Sequence, residues 1–230
     1  MDLFFQSAGE LGGIFKSLGI GLDVSQLSAG PLRGRFQLTG SAVLPLMSIK
    51  TDQMLVCQGD RRPGFLPFSI NTRGDHPLVR GEEVSPLSIH GFQSSLKDSY
   101  FVLQPGCEIQ VAMVCKQRLQ RLAIATNEQR ALDRINSVNS AAVTPEQFQR
   151  LVELTKPQLH DPIQAELIEA ELLELLSDRR LSQLNGGDLS HRAGLMKDLI
   201  AWGQGNPTEV ISLEDLTTTI FASRSSIVHS

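Results

Sequence analysis

Leu32-Arg33-Gly34-Arg35-Phe36-Gln37-Leu38 sets the period on which the first half of the chain is built. Arg33, Arg35 and Gln37 share one face while Leu32, Phe36 and Leu38 share the other, as a half-buried strand requires. Working outward, residues 42–49, 53–58 and 99–103 read as further strands. Residues 108–115 alternate again, with Ile109, Val111, Met113 and Cys115 on one side. Phe65-Leu66-Pro67-Phe68-Ser69-Ile70 is a shorter run whose proline suits an edge or a bulge. Residues 71–83 carry Gly74, Pro77 and Gly81 among mixed charges and read as a loop, and Gln104-Pro105-Gly106 reads as a turn. Many short strands at regular spacing predict a sandwich or small barrel rather than alternating strand–helix units.

Before this region, residues 3–18 predict a short amphipathic helix weakened by Gly9, Gly12 and Gly13. After it the period becomes helical from Lys116, and residues 136–142 read as a linker. Thr144-Pro145-Glu146-Gln147 is a strong helix start, with Thr144 as cap, Pro145 where a missing N–H costs nothing and Gln147 at the capping-box position. Asp161-Pro162 opens another helix by the same logic. Its apolar positions are too many for one buried stripe, so two faces need cover. One face is expected against the strands. The other, with Ile163, Leu167, Ile168, Leu172 and Leu175, is expected to meet the same helix of a second copy; the alternative is burial of both faces within one chain. Glu166, Glu169, Glu171 and Glu174 read as its solvated surface. Asn185-Gly186-Gly187-Asp188 is the clearest domain boundary, and residues 189–202 form one more amphipathic helix.

With 230 residues, 41% hydrophobic and 20% charged, the chain is an ordinary soluble one of one or two domains. A net charge of -4 argues against nonspecific coating of nucleic acid but not against a small DNA-reading module. Cys57, Cys107 and Cys115 are odd in number and lack metal-ligand spacing, so a reducing cytoplasm and buried, inert thiols are expected. No signal peptide or membrane span is read. The five histidines form no metal-binding pair, no phosphate loop or nucleophile motif occurs, and neither catalytic residues, metal nor cofactor is expected. Arg33 and Arg35 are either an anion site or solvent-facing strand residues. Phe36, Met47, Phe65, Phe68 and Met113 are either core or pocket lining.

The closing stretch has helix-turn-helix spacing. Ser212 caps a helix with Leu213, Leu216 and Ile220 as its stripe, Phe221-Ala222 is the turn, and Ser223 caps a second helix. In that helix Arg224, Ser225, Ser226 and His229 face outward, able to reach phosphate or base edges. The sequence stops at Ser230, inside that second helix, so an incomplete unit is expected.

The order of these parts resembles the AraC/XylS family of bacterial transcription regulators. Residues 195–227 carry most of the likeness, with Trp202, Asn206, Ile211, Leu213-Glu214-Asp215-Leu216 and Ala222-Ser223. Leu32-Arg33-Gly34-Arg35-Phe36 and Leu103-Gln104-Pro105-Gly106 are similar to its regulatory domain. The resemblance implies an α+β chain: a cupin-like β-barrel or sandwich over 1–125, a helical dimerisation segment over 126–184, a linker at 185–190 and part of a DNA-binding domain over 191–230. It also implies a small-molecule effector of unknown identity, a homodimer, promoter DNA as partner through Ser223, Arg224, Ser225, Ser226 and His229, and a cytoplasmic setting. The chain departs from the pattern in lacking the second helix-turn-helix, and Ser225 and His229 stand where family members often have arginine. The competing expectation is a sensory and dimerisation module without DNA-binding activity.

Overall fold

A computed structural model describes residues 1–156 and 162–178, without the side chains at 82 and 162–164. The joint at 185–190 and the helix-turn-helix stretch, including Ser223, Arg224, Ser225, Ser226 and His229, lie outside the described residues. Nearly all described residues belong to one unit of the chain, Met1–Leu78 with Glu83–Leu184.

Twelve strands and five helices form among these residues. They are β1 (Asp2–Phe5), α1 (Ala8–Ser17), β2 (Gly21–Gln26), β3 (Gly34–Gly40), β4 (Pro45–Thr51), β5 (Leu55–Asp60), β6 (Phe65–Arg73), β7 (Leu78–Val79), β8 (Glu82–Glu83), β9 (Ser88–His90), β10 (Asp98–Leu103), β11 (Glu108–Cys115), α2 (Lys116–Ala125), α3 (Gln129–Ser137), β12 (Ser140–Ala142), α4 (Pro145–Thr155) and α5 (Pro162–Ser177). The strands make two sheets, β1-β3-β4-β11-β6-β9-β12 and β2-β5-β10-β7-β8, rather than one closed ring. The chain is thus α+β, with antiparallel pairing in each ladder described.

Alternation on β11 explains the layering. Ile109, Val111 and Met113 enter a core shared with β5, β10 and α1, whereas Ala112 and Val114 enter a second core with Leu66, Phe68 and the helices. The larger sheet therefore buries both faces, sheet against sheet on one side and helices on the other. Pro67 sits within β6 at a position where β9, which pairs with that strand at Ser69, makes no ladder pair.

Two expectations are corrected by long-range pairing. Residues 2–5, read with the N-terminal helix, instead pair with β3, because Phe5 lays its ring over Gly34, where an added Cβ would sit 1.9 Å from a ring atom. Helix α1 starts only at Ala8, capped by Ser7, whose hydroxyl accepts from Glu10 N at 3.2 Å. Residues 140–142, read as linker, extend the larger sheet through β9. At Thr144 the capping box forms as expected, Gln147 N donating to Thr144 Oγ1 at 3.2 Å and Thr144 N to Gln147 Oε1 at 2.9 Å.

The acidic surface of α5 is also corrected. Glu166 and Glu174 are exposed, but Glu169 and Glu171 are 3% and 6% exposed and face partners on other helices. Arg118 of α2 grips Glu169 with two parallel bonds, Nε to Oε1 and Nη2 to Oε2, each 2.9 Å. Arg150 of α4 pairs with Glu171, whose carboxyl burial pushes upward in pKa while Arg150 opposes the shift. The far end of α5 is held likewise: Arg134 Nη1 donates to Leu176 O and Asp178 O, both at 2.7 Å, and Arg130 Nη1 to Ser177 O at 3.2 Å. These guanidinium donors satisfy carbonyls that the helix has no residue left to pair.

Removing one partner of the Arg118–Glu169 pair strands a buried carboxylate. Because Arg118 keeps 34% side-chain exposure, Arg118→Met is expected to cost about 2–3 kcal/mol, below the ~3–5 kcal/mol of a fully buried pair. In urea unfolding the double variant Arg118→Met with Glu169→Met should recover most of that loss.

Candidate functional site

Between the C-terminal end of α1, the β3–β4 hairpin and the β5–β6 turn lies a cavity of about 380 Å³. Leu18, Ile20, Leu38, Met47 and Met113 face it, and Thr39 and Ser41 add hydroxyls at the hairpin, so that polar and apolar surface share its wall in nearly equal measure. Arg62 is the one charged side chain among its lining residues, and the ammonium of Met1, which donates to Leu38 O at 2.8 Å, stands beside the same wall. Methionines suit such a wall, since their unbranched, polarisable chains adapt to irregular shapes.

The β5–β6 turn that presents Arg62 is fixed from both sides. Arg61 turns away from the cavity and donates to Asp98 O, Gly91 O and Gln93 O at 2.8, 2.8 and 2.9 Å. Phe65 N donates to Arg62 O at 3.3 Å, and Gly64 takes the positive φ of 78° that closes the turn. Arg62 then lies over the Phe65 ring, 4.3 Å from its centroid. This cation–π contact holds the guanidinium without neutralising it.

The sheet beneath is graded in polarity. Leu38, Met47, Val111, Ser69, His90 and Ser140 stand in register across β3, β4, β11, β6, β9 and β12, so their side chains share one face. The row begins apolar at the cavity and becomes polar at its far end. His90 is 5% exposed, and its Nδ1 has no partner among the described residues. Burial pulls its pKa down to about 4, so the imidazole is neutral at neutral pH.

Of the pocket candidates named from sequence, Met47 and Met113 line the cavity. Phe36 lies in the adjoining core, Phe65 supports Arg62, and Phe68 is on the opposite face, stacked on Phe92 at 5.2 Å. Arg35 is not available as an anion site: Asp2 takes it in a two-point ion pair at 2.9 and 2.5 Å. Cys57 and Cys107 are buried, burial raising both thiols, Cys107 to about 12. His76 is engaged with Asn71, its Nδ1 3.0 Å from the amide. No group of three or more metal-ligating side chains occurs among the described residues, and no helix there is long and apolar enough to cross a membrane.

Ile168, Leu172 and Leu175, expected at a subunit interface, are instead buried in the chain's own core at 2% exposure or less. Leu167 is 52% exposed and lines a second, largely apolar groove of about 680 Å³ between α4 and α5, with Leu154, Gln149 and Arg150. The fifth expected interface residue, Ile163, has no described side chain. Sequence reading missed Arg62, Ser41 and Ser69. The signal for the first was present in Arg61-Arg62-Pro63-Gly64-Phe65, a doubled cation at a Pro-Gly turn followed by an aromatic ring.

A solved structure, that of the AraC-like transcriptional activator CuxR, matches with a TM-score of 0.52 at 10% identity, over 100% of this chain and 88% of that one. The likeness is one of fold alone. No protein-family model and no curated protein matches the sequence.

Burial of His90 links protonation to stability. Its folded pKa of about 4 lies below its ordinary 6.5, so the unfolded chain binds the extra proton first and stability falls as pH drops from 6.5 toward 4. The loss is of order 3 kcal/mol for the full shift. Thermal melts of His90→Gln should lack this component of acid destabilisation while the parent chain shows it.

Proposed function

We propose that this chain is a ligand-responsive, dimeric transcription regulator of the AraC type. The observation that carries the reading is the fold likeness to an AraC-like transcriptional activator over the whole chain, at a TM-score of 0.52. In this reading the paired sheets are a cupin-like sensory domain, and the cavity beside Met47, Met113 and Arg62 receives a small effector. The groove between α4 and α5 supports a twofold contact, since Leu167 offers an exposed apolar side chain beside Leu154 and a self-complementary patch closes a dimer. DNA reading is assigned to the closing stretch, with Arg224 for phosphate or a guanine edge and Ser223, Ser225, Ser226 and His229 around it. A cytoplasmic setting and no catalytic activity belong to the same reading.

The alternative is a module that senses and dimerises without touching DNA. The exposed groove at Leu167 and the cavity serve it equally well.

Selection from a random duplex library, followed by mobility shifts at two salt concentrations, separates the two. A regulator enriches a sequence, binds it less tightly as salt rises, and loses affinity in Arg224→Ala by about 1–3 kcal/mol. Absence of any enriched sequence favours the module. Sedimentation of Leu167→Asp should show monomers where the parent chain is dimeric, and an unchanged dimer would move the interface elsewhere.

A further inference from the structure

We infer that the cavity beside Arg62 selects a small monocarboxylate with an apolar body. The inference rests on the reading of this cavity as the effector site and names the class of effector. Three observations lead to it. The lining contains Arg62 and no aspartate or glutamate, so the charge in the cavity wall is of one sign. Arg62 has no carboxylate partner among the described residues, its contact being the face of Phe65 at 4.3 Å. An aromatic face holds a guanidinium in place while leaving its N–H fork open for a two-point contact with a carboxylate.

The remaining lining sets the rest of the ligand. Leu18, Ile20, Leu38, Met47 and Met113 offer contact to hydrocarbon but no polar group. At the hairpin, Ser41 Oγ accepts from Leu44 N at 3.2 Å, which leaves its own proton to give to a second anionic oxygen. One guanidinium and one hydroxyl match the two oxygens of a carboxylate head. A volume of about 380 Å³ is at the small end for ligand pockets, so the body is a short alkyl chain or a single ring.

The test measures binding of octanoate and of octanamide, its uncharged isostere, to the whole chain by calorimetry and by thermal shift. Octanoate is expected to bind about tenfold more tightly than octanamide. In Arg62→Gln the two should bind alike, and Arg62→Lys should keep part of the preference, with unliganded melts confirming that both variants fold. Met113→Trp and Leu38→Trp, which fill the cavity from two walls, should abolish binding of both compounds. Equal binding of octanoate and octanamide to the parent chain, lost in the filling variants, would overturn the carboxylate assignment while leaving the cavity as the effector site. Octanoate binding that survives both filling variants, or no binding of either compound, would overturn the cavity reading and the assignment with it.

Discussion

A strand buried on both faces constrains everything packed around it. In β11, Val111 and Met113 face the core between the sheets, while Ala112 and Val114 face the helices. Neither layer can be peeled away without exposing apolar side chains that stand back to back on one backbone. The second sheet and α1 are therefore required on one side and α2–α5 on the other, and the polar groups of both layers must be matched inside the protein. Gln110, on the helix side of the same strand, shows how: its Oε1 accepts from Thr155 Oγ1 of α4 at 2.7 Å, tying the last turn of a helix to the centre of the sheet.

The same demand explains the charged residues of α5. A helix that must cover a sheet and also pack against neighbours keeps only a narrow wet stripe, here Glu166, Ala170 and Glu174, so its other acids enter the protein at fixed points. Glu169 and Glu171 do so against Arg118 and Arg150, one arginine from each of two different helices. Such pairs add little net stability over apolar packing of the same shape, but they penalise any arrangement in which the partners part. They therefore define how α2, α4 and α5 lie together more than how firmly. At the cavity the opposite holds, since Arg62 is positioned by an aromatic ring and its charge is left unmatched.

Longer strands were mostly legible from sequence because a run of alternating or apolar residues is local information: β3, β4, β5, β6, β10 and β11 each overlap a stretch read as a strand, whereas β2, though it alternates at Leu22 and Val24, went unread. The capping box at Thr144 was legible for the same reason. Strands of three or four residues were not. β1, β9 and β12 are too short to display a period and exist because a distant strand offers them a ladder, as β3 does for β1. The roles of Glu169 and Glu171 were hidden because their spacing on a helix is that of a solvated face, and the arginine that buries Glu169 is 51 residues away in sequence. Arg62 was hidden differently. Its residue type and turn were plain, but the apolar walls that give it meaning come from α1, β3, β4 and β11.

Arg134 joins parts of this unit that are far apart in sequence. Its guanidinium bridges α3 to the terminal carbonyls of α5, and the backbone just beyond it meets the turn after β9, Ser94 N donating to Ile135 O and Gly91 N to Asn139 O, each at 2.8 Å. That turn is also the one that Arg61, the neighbour in sequence of Arg62, grips. Hydrogen bonds thus run in sequence from the cavity rim, through the turn and α3, to the end of α5, so that one arginine ties loop to loop, another ties a helix to a helix terminus, and the two ties meet at the same turn.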